Sequence, residues 1–387
     1  MAESKRILLG MSGGVDSSVA AALLLRAGWE VIGLTCDFCG RDKGADGQQD
    51  DAALSPDAQD ANRVCEVLGI PHVYKDCSQL FDQRVVEPFC RAYMQGLTPS
   101  PCVDCNATMK LPMLAAVADE LGATHIATGH YARVVQLLEE DGALGRFALK
   151  TALDNSKDQS YMLSMVPQAL LSRLVLPLGG MTKTDVRLYA EELGLPVAQR
   201  PDSQDLCFAP DGYKALLAQR GVVAHPGNIV DVSGKVLGTH TGLQDYTYGQ
   251  RGGLGIGGAP EPYYVTGKDA DTNTLTVGFA ADARMGGVLV SSCVWQAFVT
   301  PPTSLECLVK LRYRTQASPC IIETAPALEG EASLGATLHT RGEDAVLVRL
   351  LRPEALTSPG QIAVFYCGDT VLGGGVISAV LPVGFLV

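Results

Sequence analysis

An apolar segment, Ile7 to Leu9, runs directly into the glycine-rich stretch Gly10 to Ser18, and good helix formers follow from Val19 to Arg26. This order is typical of a strand, a tight turn and a helix. Such a turn aims backbone N–H groups and the positive end of a helix dipole at a ligand, so it favours an anion, most simply phosphate. Asp16 adds a carboxylate suited to Mg²⁺. The stretch lacks the Gly-Lys-Ser/Thr ending of a Walker A loop. A turn that binds nothing is the simpler alternative.

Length, composition and net charge limit the class of protein to which this chain can belong. A chain of 387 residues predicts two or three domains, and a hydrophobic content of 47% is ample for their cores. The net charge of −12 argues against general affinity for polyanions, although several arginines fall between residues 284 and 352. No signal peptide or apolar run of membrane-spanning length is evident, so we expect a cytoplasmic protein. Its 12 cysteines then indicate thiols, metal ligands or catalytic groups rather than a disulfide framework.

Alternating strand and helix patterns up to residue 208 predict an α/β domain with a doubly wound parallel sheet. Ligands of such sheets bind beyond the carboxyl ends of the strands, where the glycine-rich turn, Cys36 and Gly129-His130 would meet. Beyond residue 225 short strands and turns predict a small β-rich domain followed by a β-barrel. We therefore expect domains over residues 1–208, 209–284 and 285–387.

Five local patterns carry further predictions. Residues 40–54 are polar and glycine-containing, which predicts a loop. Residues 98–106 predict a proline-stiffened loop. Residues 157–193 predict helix, with Thr182 as a cap and Asp185 three positions later. Residues 306–314 predict a strand on which two arginines flank Tyr313. The run from 253 to 258 matches the dinucleotide pattern GxGxxG, but no helix pattern follows it, so a loop is favoured.

The pair Cys102-x-x-Cys105 has three interpretations: half of a zinc or iron–sulfur site, a redox pair, or one nucleophile beside a bystander. The second pair, Cys36 and Cys39, makes a four-thiolate zinc site conceivable, although a buried thiol at a strand end is the simpler interpretation of Cys36. Asp104 would raise the pKa of the neighbouring thiol, whereas a helix start after Asn106 would lower it.

A set of motifs in a fixed order resembles one family. They are Ser-Gly-Gly-Val-Asp-Ser, Thr-Pro-x-Pro-x-x-x-Cys-Asn, Ala-Thr-Gly-His-Tyr, Lys-Asp-Gln-Ser-Tyr, Asp-Ser-x-x-x-Cys-Phe and Gly-Gln-Arg-x-Gly-Leu-Gly-Ile-Gly-Gly. Together they look like the bacterial-type tRNA-specific 2-thiouridylases of the PP-loop ATP pyrophosphatase superfamily. The likeness runs from about Lys5 to the end of the chain. It implies a PP-loop domain, a small central domain and a C-terminal β-barrel that contacts tRNA.

The resemblance also implies roles for particular residues. Cys105 matches the nucleophile, Cys207 matches the cysteine that carries a persulfide, and Asp16 belongs to the catalytic loop. The implied ATP-binding residues are Gly10, Met11, Ser12, Gly13, Gly14, Val15, Asp16, Ser17, Cys36 and Gly129. The implied tRNA-contacting residues are Ser100, Pro101, Cys102, His130, Lys157, Asp158, Gln159, Arg312, Tyr313 and Gln361. From the residues alone, a structural His130, a helix cap at Lys157 to Gln159 and a solvated face at Arg312 remain alternatives.

The family activity sets the expected chemistry. ATP and Mg²⁺ would adenylate the C2 oxygen of the wobble uridine in glutamate, glutamine and lysine tRNAs, and sulfur would replace that oxygen. The sulfur would come from a persulfide donor protein, such as a cysteine desulfurase or a sulfur carrier. Either the outer sulfur attacks the uridine directly, or Cys105 first releases sulfide from Cys207. In both routes a Cys105–Cys207 disulfide remains for a reductant to reopen.

Three alternatives stay open at this stage. Many relatives have Asp where this chain has Cys102, so Cys102, Cys105 and Cys207 are possible ligands of a [4Fe–4S] cluster. Another PP-loop ligase or amidotransferase-type enzyme would explain Asp16 but not the cysteines. A non-catalytic RNA-binding or metal-storage protein is the third alternative.

Overall fold

The computed structural model describes residues 5–38, 55–139, 143–200, 206–324 and 345–384. The predicted loop at 40–54 and Cys39 lie outside these residues. The chain divides into two compact units. The first unit contains Met1–Val86, Cys102–Phe208 and Asp369–Val371, and the second contains Glu87–Pro101, Ala209–Gly368 and Leu372–Val387.

Strands account for most of the regular structure. They are β1 Arg6–Gly10, β2 Glu30–Asp37, β3 His72–Asp76, β4 His125–Ala127, β5 Arg133–Leu138, β6 Leu144–Lys150, β7 Leu174–Val175, β8 Gly227–Asp231, β9 Val236–His240, β10 Tyr264–Asp269, β11 Thr274–Gly278, β12 Arg284–Trp295, β13 Ser304–Lys310, β14 Ser318–Thr324, β15 Val346–Ala355, β16 Ile362–Cys367 and β17 Thr370–Pro382.

The α-helices lie mainly in the first unit. They are α1 Val15–Arg26, α2 Pro56–Leu68, α3 Ser78–Phe81, α4 Glu87–Met94, α5 Pro101–Cys105, α6 Leu111–Glu120, α7 Gln168–Leu171, α8 Lys183–Glu192 and α9 Tyr213–Gln219. Two π-helical turns, Asp82–Val86 and Asn106–Lys110, follow α3 and α5. No helix within the described residues is both long and apolar enough to cross a bilayer.

The first unit is built on a parallel sheet with the strand order β3-β2-β1-β4-β7. Ile7 and Leu9 of β1 are fully buried, and α1 packs Val19 and Ala20 against the same core. Because both faces of the sheet are covered, its central strands are apolar throughout rather than alternating. The predicted α/β class with a doubly wound parallel sheet is confirmed.

The second unit is β-rich, as predicted. Four strands form a sheet in the order β10-β11-β8-β9, and six strands follow the order β12-β15-β14-β13-β16-β17. An additional β12–β17 pairing closes these six strands into a barrel around buried side chains such as Phe365 and Val348. Helix α4 belongs to this unit, where Tyr93 stacks on Tyr213 with ring centroids 4.6 Å apart.

The loop predicted at 98–106 is wrong in its second half. Helix α5 begins at Pro101 and continues through the π-turn Asn106–Lys110 into α6. Proline suits the first helical position because that position has no intrahelical partner for its N–H and because the ring fixes a helical φ. The helix start predicted after Asn106 is therefore also wrong, and Cys105 lies inside a helical segment.

The continuous helix predicted over 157–193 is wrong as well. The segment contains the 3-10 turn Ser160–Leu163, then α7, β7 and finally α8. Pro167 and the pair Gly179-Gly180 interrupt the helical periodicity that the side chains suggest. The cap itself is confirmed, because Thr182 and Asp185 form a reciprocal capping box at the start of α8.

The strand predicted over 306–314 ends early. Strand β13 stops at Lys310, and the Thr315 N–H donates to the Arg312 carbonyl at 3.3 Å in a turn. Arg312, Tyr313 and Arg314 therefore lie on a turn and do not alternate along a strand. Thr315 Oγ1 donates to the same Arg312 carbonyl at 2.9 Å, so turn hydrogen bonds replace ladder bonds beyond Lys310.

Candidate active site

The glycine-rich stretch folds as the sequence predicts, between β1 and α1 in the first unit. The N-cap of α1 is Gly14, and no side chain caps the helix. The loop is held from within, because the Ser12 N–H donates to Ser17 Oγ at 3.2 Å and Ser18 Oγ donates to the Gly14 carbonyl at 2.8 Å. An uncapped helix start with ordered backbone N–H groups suits phosphate.

Gly13 has a φ of +68° and lies against α2. A Cβ at this position would come within 2.3 Å of the Asp57 carbonyl oxygen, so only glycine fits. Arg200 stabilises the same contact between the loop and α2, since its Nη1 donates to the Gly13 carbonyl at 3.0 Å and to Asp60 Oδ2 at 2.5 Å. Arg200 also pairs with Asp57. The loop is therefore pre-formed by packing and by one arginine from the other end of the unit's sequence.

Gly129 lies directly above the start of α1. A Cβ built on it would come within 2.9 Å of the carbonyl carbon of Asp16 and of the Ser17 nitrogen, both backbone atoms. The predicted neighbourhood of Gly129 and the phosphate loop is thus present. Cys36, also predicted at this edge, lies near the end of β2, two residues after Leu34, whose carbonyl accepts from the Met11 N–H at 2.8 Å.

We expect Gly129→Ala to weaken ATP binding and to lower stability by about 1–3 kcal/mol, because backbone must move to admit the methyl group. Isothermal titration with ATP and thermal unfolding measure both effects. Gly180→Ala is the matched control, since a Cβ there meets nothing within 4 Å. Wild-type ATP affinity in Gly129→Ala would contradict a nucleotide site at this turn.

Asp16 has two partners that local sequence patterns do not reveal. The Lys183 ammonium donates to Asp16 Oδ1 at 2.8 Å and to Oδ2 at 2.9 Å, and the Tyr131 hydroxyl donates to Oδ1 at 2.6 Å. Lys183 is only 9% exposed and also lies 5.7 Å from the Tyr131 ring centroid. A buried cation beside the phosphate loop is the type of group that binds a polyphosphate.

The thiols of Cys102, Cys105 and Cys207 belong to the same unit and lie close enough to influence one another's ionisation. Cys105 is buried, whereas Cys102 and Cys207 are exposed. The segment that carries Cys207 is anchored by Phe208, whose ring lies 5.7 Å from that of Phe81. Cys105 and Cys207 thus lie within electrostatic range of each other, while their convergence at one reacting centre stays a prediction.

Loss of water around each sulfur raises the pKa of all three thiols, although Cys102 and Cys207 as whole residues are exposed. It raises the pKa of Cys105 to about 11, with smaller contributions from the neighbouring Cys207 and Cys102, while Lys110 lowers it. Desolvation also raises the pKa of Cys102 and of Cys207, and Lys110 again acts in the opposite direction. Asp104 raises the pKa of Cys102, and its own pKa is raised to about 6 by burial. A cation that approached these sulfurs would therefore lower their pKa values, and so would water that reached them. Either change would strongly increase the fraction of reactive thiolate.

A metal site or an iron–sulfur cluster needs several donor side chains close together. Among the described residues no three His, Cys, Asp or Glu side chains lie together as a metal-binding group, and those residues include Cys102, Cys105 and Cys207. The arrangement therefore does not fit a [4Fe–4S] cluster, and no step is derived through one. The carboxylate of Asp16 has the oxygen donors that Mg²⁺ prefers, beside the loop that suits phosphate.

His130 is held by Thr128, whose Oγ1 lies 2.7 Å from His130 Nδ1. Burial, assisted by the charge of Lys110, lowers the pKa of His130 to about 3. The imidazole is therefore neutral at physiological pH and can exchange hydrogen bonds without adding charge.

The segment Lys157 to Gln159 is ordered by its own side chains. Asp158 is buried, and its Oδ1 accepts from the Ala152 N–H at 3.0 Å and from the Ser160 N–H at 3.2 Å. Gln159 Oε1 accepts from the Tyr131 N–H at 2.9 Å. The N-cap of the following 3-10 turn is Gln159, which makes no side-chain cap hydrogen bond, so Asp158 orders the segment before the turn and the cap interpretation is wrong. Lys157 and Gln159 are half-buried.

The remaining predicted tRNA contacts lie in the second unit. Gln361 Nε2 donates to the Thr98 carbonyl at 2.8 Å and to the Pro99 carbonyl at 3.4 Å, which holds the segment containing Ser100 and Pro101. Arg312 Nη2 donates to the Leu356 carbonyl at 2.7 Å. Tyr313, next to Arg312, is half-buried in the same turn. Gln361 and Arg312 therefore organise backbone in this unit.

Sequence reasoning missed Lys183, Arg200 and Lys110. Lys183 and Arg200 make contacts across 167 and 187 residues, which no local pattern encodes. The capping box at Thr182 did mark the start of α8 and hence the position of Lys183 within that helix.

Comparison with known proteins covers nearly the whole chain. Residues 5–211 match the family described as tRNA methyl transferase HUP domain, residues 214–279 match the tRNA methyl transferase PRC-barrel domain, and residues 286–377 match the aminomethyltransferase beta-barrel domain. A curated protein of Chloroflexus aurantiacus named tRNA-specific 2-thiouridylase MnmA is 44% identical over 96% of this chain and 98% of its own length. Proteins of the same name from Sorangium cellulosum and Geotalea uraniireducens are 44% and 43% identical over 97% and 96% of this chain, and 93% and 94% of their own lengths.

Proposed function

We propose a mechanism for this chain from one premise, which is that it belongs to the family of tRNA-specific 2-thiouridylases. It is an enzyme that uses ATP to transfer sulfur to tRNA and form 2-thiouridine. The observation that carries the mechanism is the presence, in one compact unit, of three interacting thiols and an uncapped phosphate loop whose Asp16 is paired with Lys183. We propose that glutamate, glutamine and lysine tRNAs are the substrates.

The first half-reaction activates the uridine. The C2 oxygen attacks the α-phosphorus of ATP, the bond to the β-phosphate breaks, and pyrophosphate leaves. The loop from Gly10 to Ser17 and Gly129 would hold the nucleotide, and Asp16 would hold Mg²⁺, which neutralises phosphate charge when bound. Lys183 lies beside the same carboxylate and would supply a second positive charge for the departing pyrophosphate.

The second half-reaction brings sulfur. A persulfide on Cys207 is loaded by a donor protein, such as a cysteine desulfurase or a sulfur carrier. In one route Cys105 attacks the inner sulfur, hydrosulfide leaves, and hydrosulfide displaces AMP from C2. In the other route the outer sulfur displaces AMP first, and Cys105 then attacks the inner sulfur and frees the thiolated tRNA. Both routes leave a Cys105–Cys207 disulfide and need two electrons from a thiol reductant.

The need for a reductant supports the predicted cytoplasmic location, since thiols persist in reducing compartments. We further propose that residues 1–208, 209–284 and 285–387 are separate functional domains and that the barrel contacts tRNA. The anchoring of Thr98 and Pro99 by Gln361 supports a role for this glutamine in presenting Ser100 and Pro101 to the target base.

The direct test incubates the protein with ATP, unmodified glutamate tRNA and a persulfide donor. We expect AMP, pyrophosphate and 2-thiouridine in equal amounts during the first turnover. Formation of AMP with an amino acid but not with tRNA would instead support a ligase of the same superfamily. If Cys207→Ala and Asp16→Ala both left every activity unchanged, a non-catalytic protein would be supported.

A further inference from the structure

The π-turn Asn106–Lys110 determines the position of Lys110 relative to Cys105. Lys110 is five residues after Cys105 and ends this segment. In an α-helix, with about 3.6 residues per turn, residue i+5 points roughly 140° away from residue i. The i→i+5 bonding of a π-turn brings residue i+5 back above residue i, and such turns are frequent at functional sites. The π-turn therefore turns Lys110 toward the thiol face of α5.

The surroundings of Lys110 are rich in groups that carry or accept negative charge. Its ammonium acts on the ionisation of side chains from three other parts of the first unit as well as from its own helix: Cys36, Cys102, Cys105, His130 and Cys207. Asp104 is the nearby carboxyl group, and it acts on Cys102. The backbone N–H of Lys110 also hydrogen-bonds to Cys105.

The ammonium has no fixed partner among the residues that the structure describes. Lys110 is half-buried, and within those residues its side chain makes neither a hydrogen bond nor an ion pair. Other cations of this unit are paired, such as Lys183 with Asp16 and Arg200 with Asp60. A partly desolvated cation attracts an anion strongly because the local dielectric constant is low.

We propose that Lys110 forms an anion site for reduced sulfur, which holds the thiolate, persulfide or hydrosulfide anion while it passes between Cys207 and Cys105. This inference rests on the proposed function, and it names the ligand class that the thiol cluster takes. Lys110 would stabilise the negative sulfur in either route of transfer, since the attacking and the leaving groups are both anionic.

The test compares two alkylating reagents of similar size on the protein without ATP or tRNA. Iodoacetate is an anion and iodoacetamide is neutral, yet both react with the same thiolate. Their rate ratio at one cysteine therefore reports the local electrostatic potential and not the fraction of thiolate. Peptide mass spectrometry gives this ratio at Cys207 and Cys105, and Cys367, exposed in the second unit, is the internal reference.

We expect Lys110→Met to lower the iodoacetate-to-iodoacetamide ratio at Cys207 by roughly threefold or more at low salt, and Lys110→Arg to retain most of it. The ratio at Cys367 should not change. Lys75→Met is the matched control, because Lys75 acts on Cys36 and Cys77 but not on the other three thiols. An unchanged ratio at Cys207 and Cys105 in Lys110→Met, with wild-type unfolding temperature, would overturn the anion site.

The same variants separate this inference from the proposed function. With inorganic hydrosulfide as the sulfur source, Lys110→Met should need more hydrosulfide for the same rate of thiolation, while release of pyrophosphate from ATP in the adenylation step should proceed normally. If the wild-type protein made no 2-thiouridine but its alkylation ratio still depended on Lys110, the anion site would stand and the proposed function would fail.

Discussion

Cys207→Ser should abolish formation of 2-thiouridine, with a loss on the order of a thousandfold or more, because the proposed mechanism carries the transferable sulfur as a persulfide on Cys207. Release of pyrophosphate in the first turnover should persist, since activation of the uridine uses the phosphate loop and not the thiol. Loading with a labelled persulfide donor should leave no label on the variant. Thiolation at the wild-type rate would remove Cys207 from the mechanism.

Cys105→Ser distinguishes the two routes of sulfur transfer. If the outer sulfur attacks the uridine directly, this variant stops with tRNA joined to Cys207 through a disulfide, and dithiothreitol releases thiolated tRNA from that adduct. If hydrosulfide must first be expelled, the variant keeps its persulfide and forms no adduct. Denaturing gel electrophoresis without reductant separates these outcomes. Turnover without either species would contradict a nucleophilic Cys105.

Cys102→Ser tests the third thiol, because Cys102 lies on the same short helix as Cys105 but is exposed. A thiol-only mechanism predicts that this variant still loads the Cys207 persulfide and forms 2-thiouridine at saturating tRNA, although loss of the expected tRNA contact would raise the KM for tRNA. If Cys102→Ser lost activity as completely as Cys207→Ser, and the wild-type protein contained iron, the three cysteines would act as cluster ligands after a rearrangement of the present structure. Cys367→Ser in the barrel should have no effect in any of these assays.

The parts of this structure that local patterns encode were predictable. The strand–turn–helix at Gly10 to Ser18, the parallel sheet and the β-rich remainder follow from hydrophobic periodicity and glycine placement, which report local conformation directly. Cys105 and Cys207 were found because motifs mark them, and their convergence was inferred from that resemblance. Packing alone would not have predicted it.

What the sequence did not reveal depends on tertiary contacts or on subtle helix geometry. The carboxylate of Asp16 and the ammonium of Lys183 are 167 residues apart, and a lysine at the first turn of a helix is unremarkable by itself. The π-turn at Asn106–Lys110 was not predicted from the sequence. Because a loop was predicted before it, the proximity of Lys110 to Cys105 could not be inferred. The proline of α5 was interpreted as a loop former, although proline also starts helices.

Lys183→Met should slow adenylation of tRNA by roughly a hundredfold or more, which is the usual cost of removing one preorganised charge from a transferring phosphoryl group. Lys183 has a side-chain exposure of 11% and reaches both oxygens of Asp16, so its charge is well placed and little screened. Arrival of ATP brings negative charge to the loop, and the lysine can then share its donors with phosphate. Single-turnover release of pyrophosphate, measured without a persulfide donor, isolates this step from sulfur transfer.

A double-mutant cycle shows whether Lys183 and Asp16 act as one unit. If they do, Asp16→Asn in the Lys183→Met background should cost much less than it costs in the wild type. Lys183→Arg should restore part of the rate, and Tyr131→Phe, which removes the 2.6 Å hydrogen bond to Asp16, should have a smaller effect because it removes no charge. Lys150 lies in the same unit and pairs with Asp369. Lys150→Met is therefore the control for the loss of a lysine. Normal pyrophosphate release by a folded Lys183→Met protein would show that the lysine only supports the loop's structure.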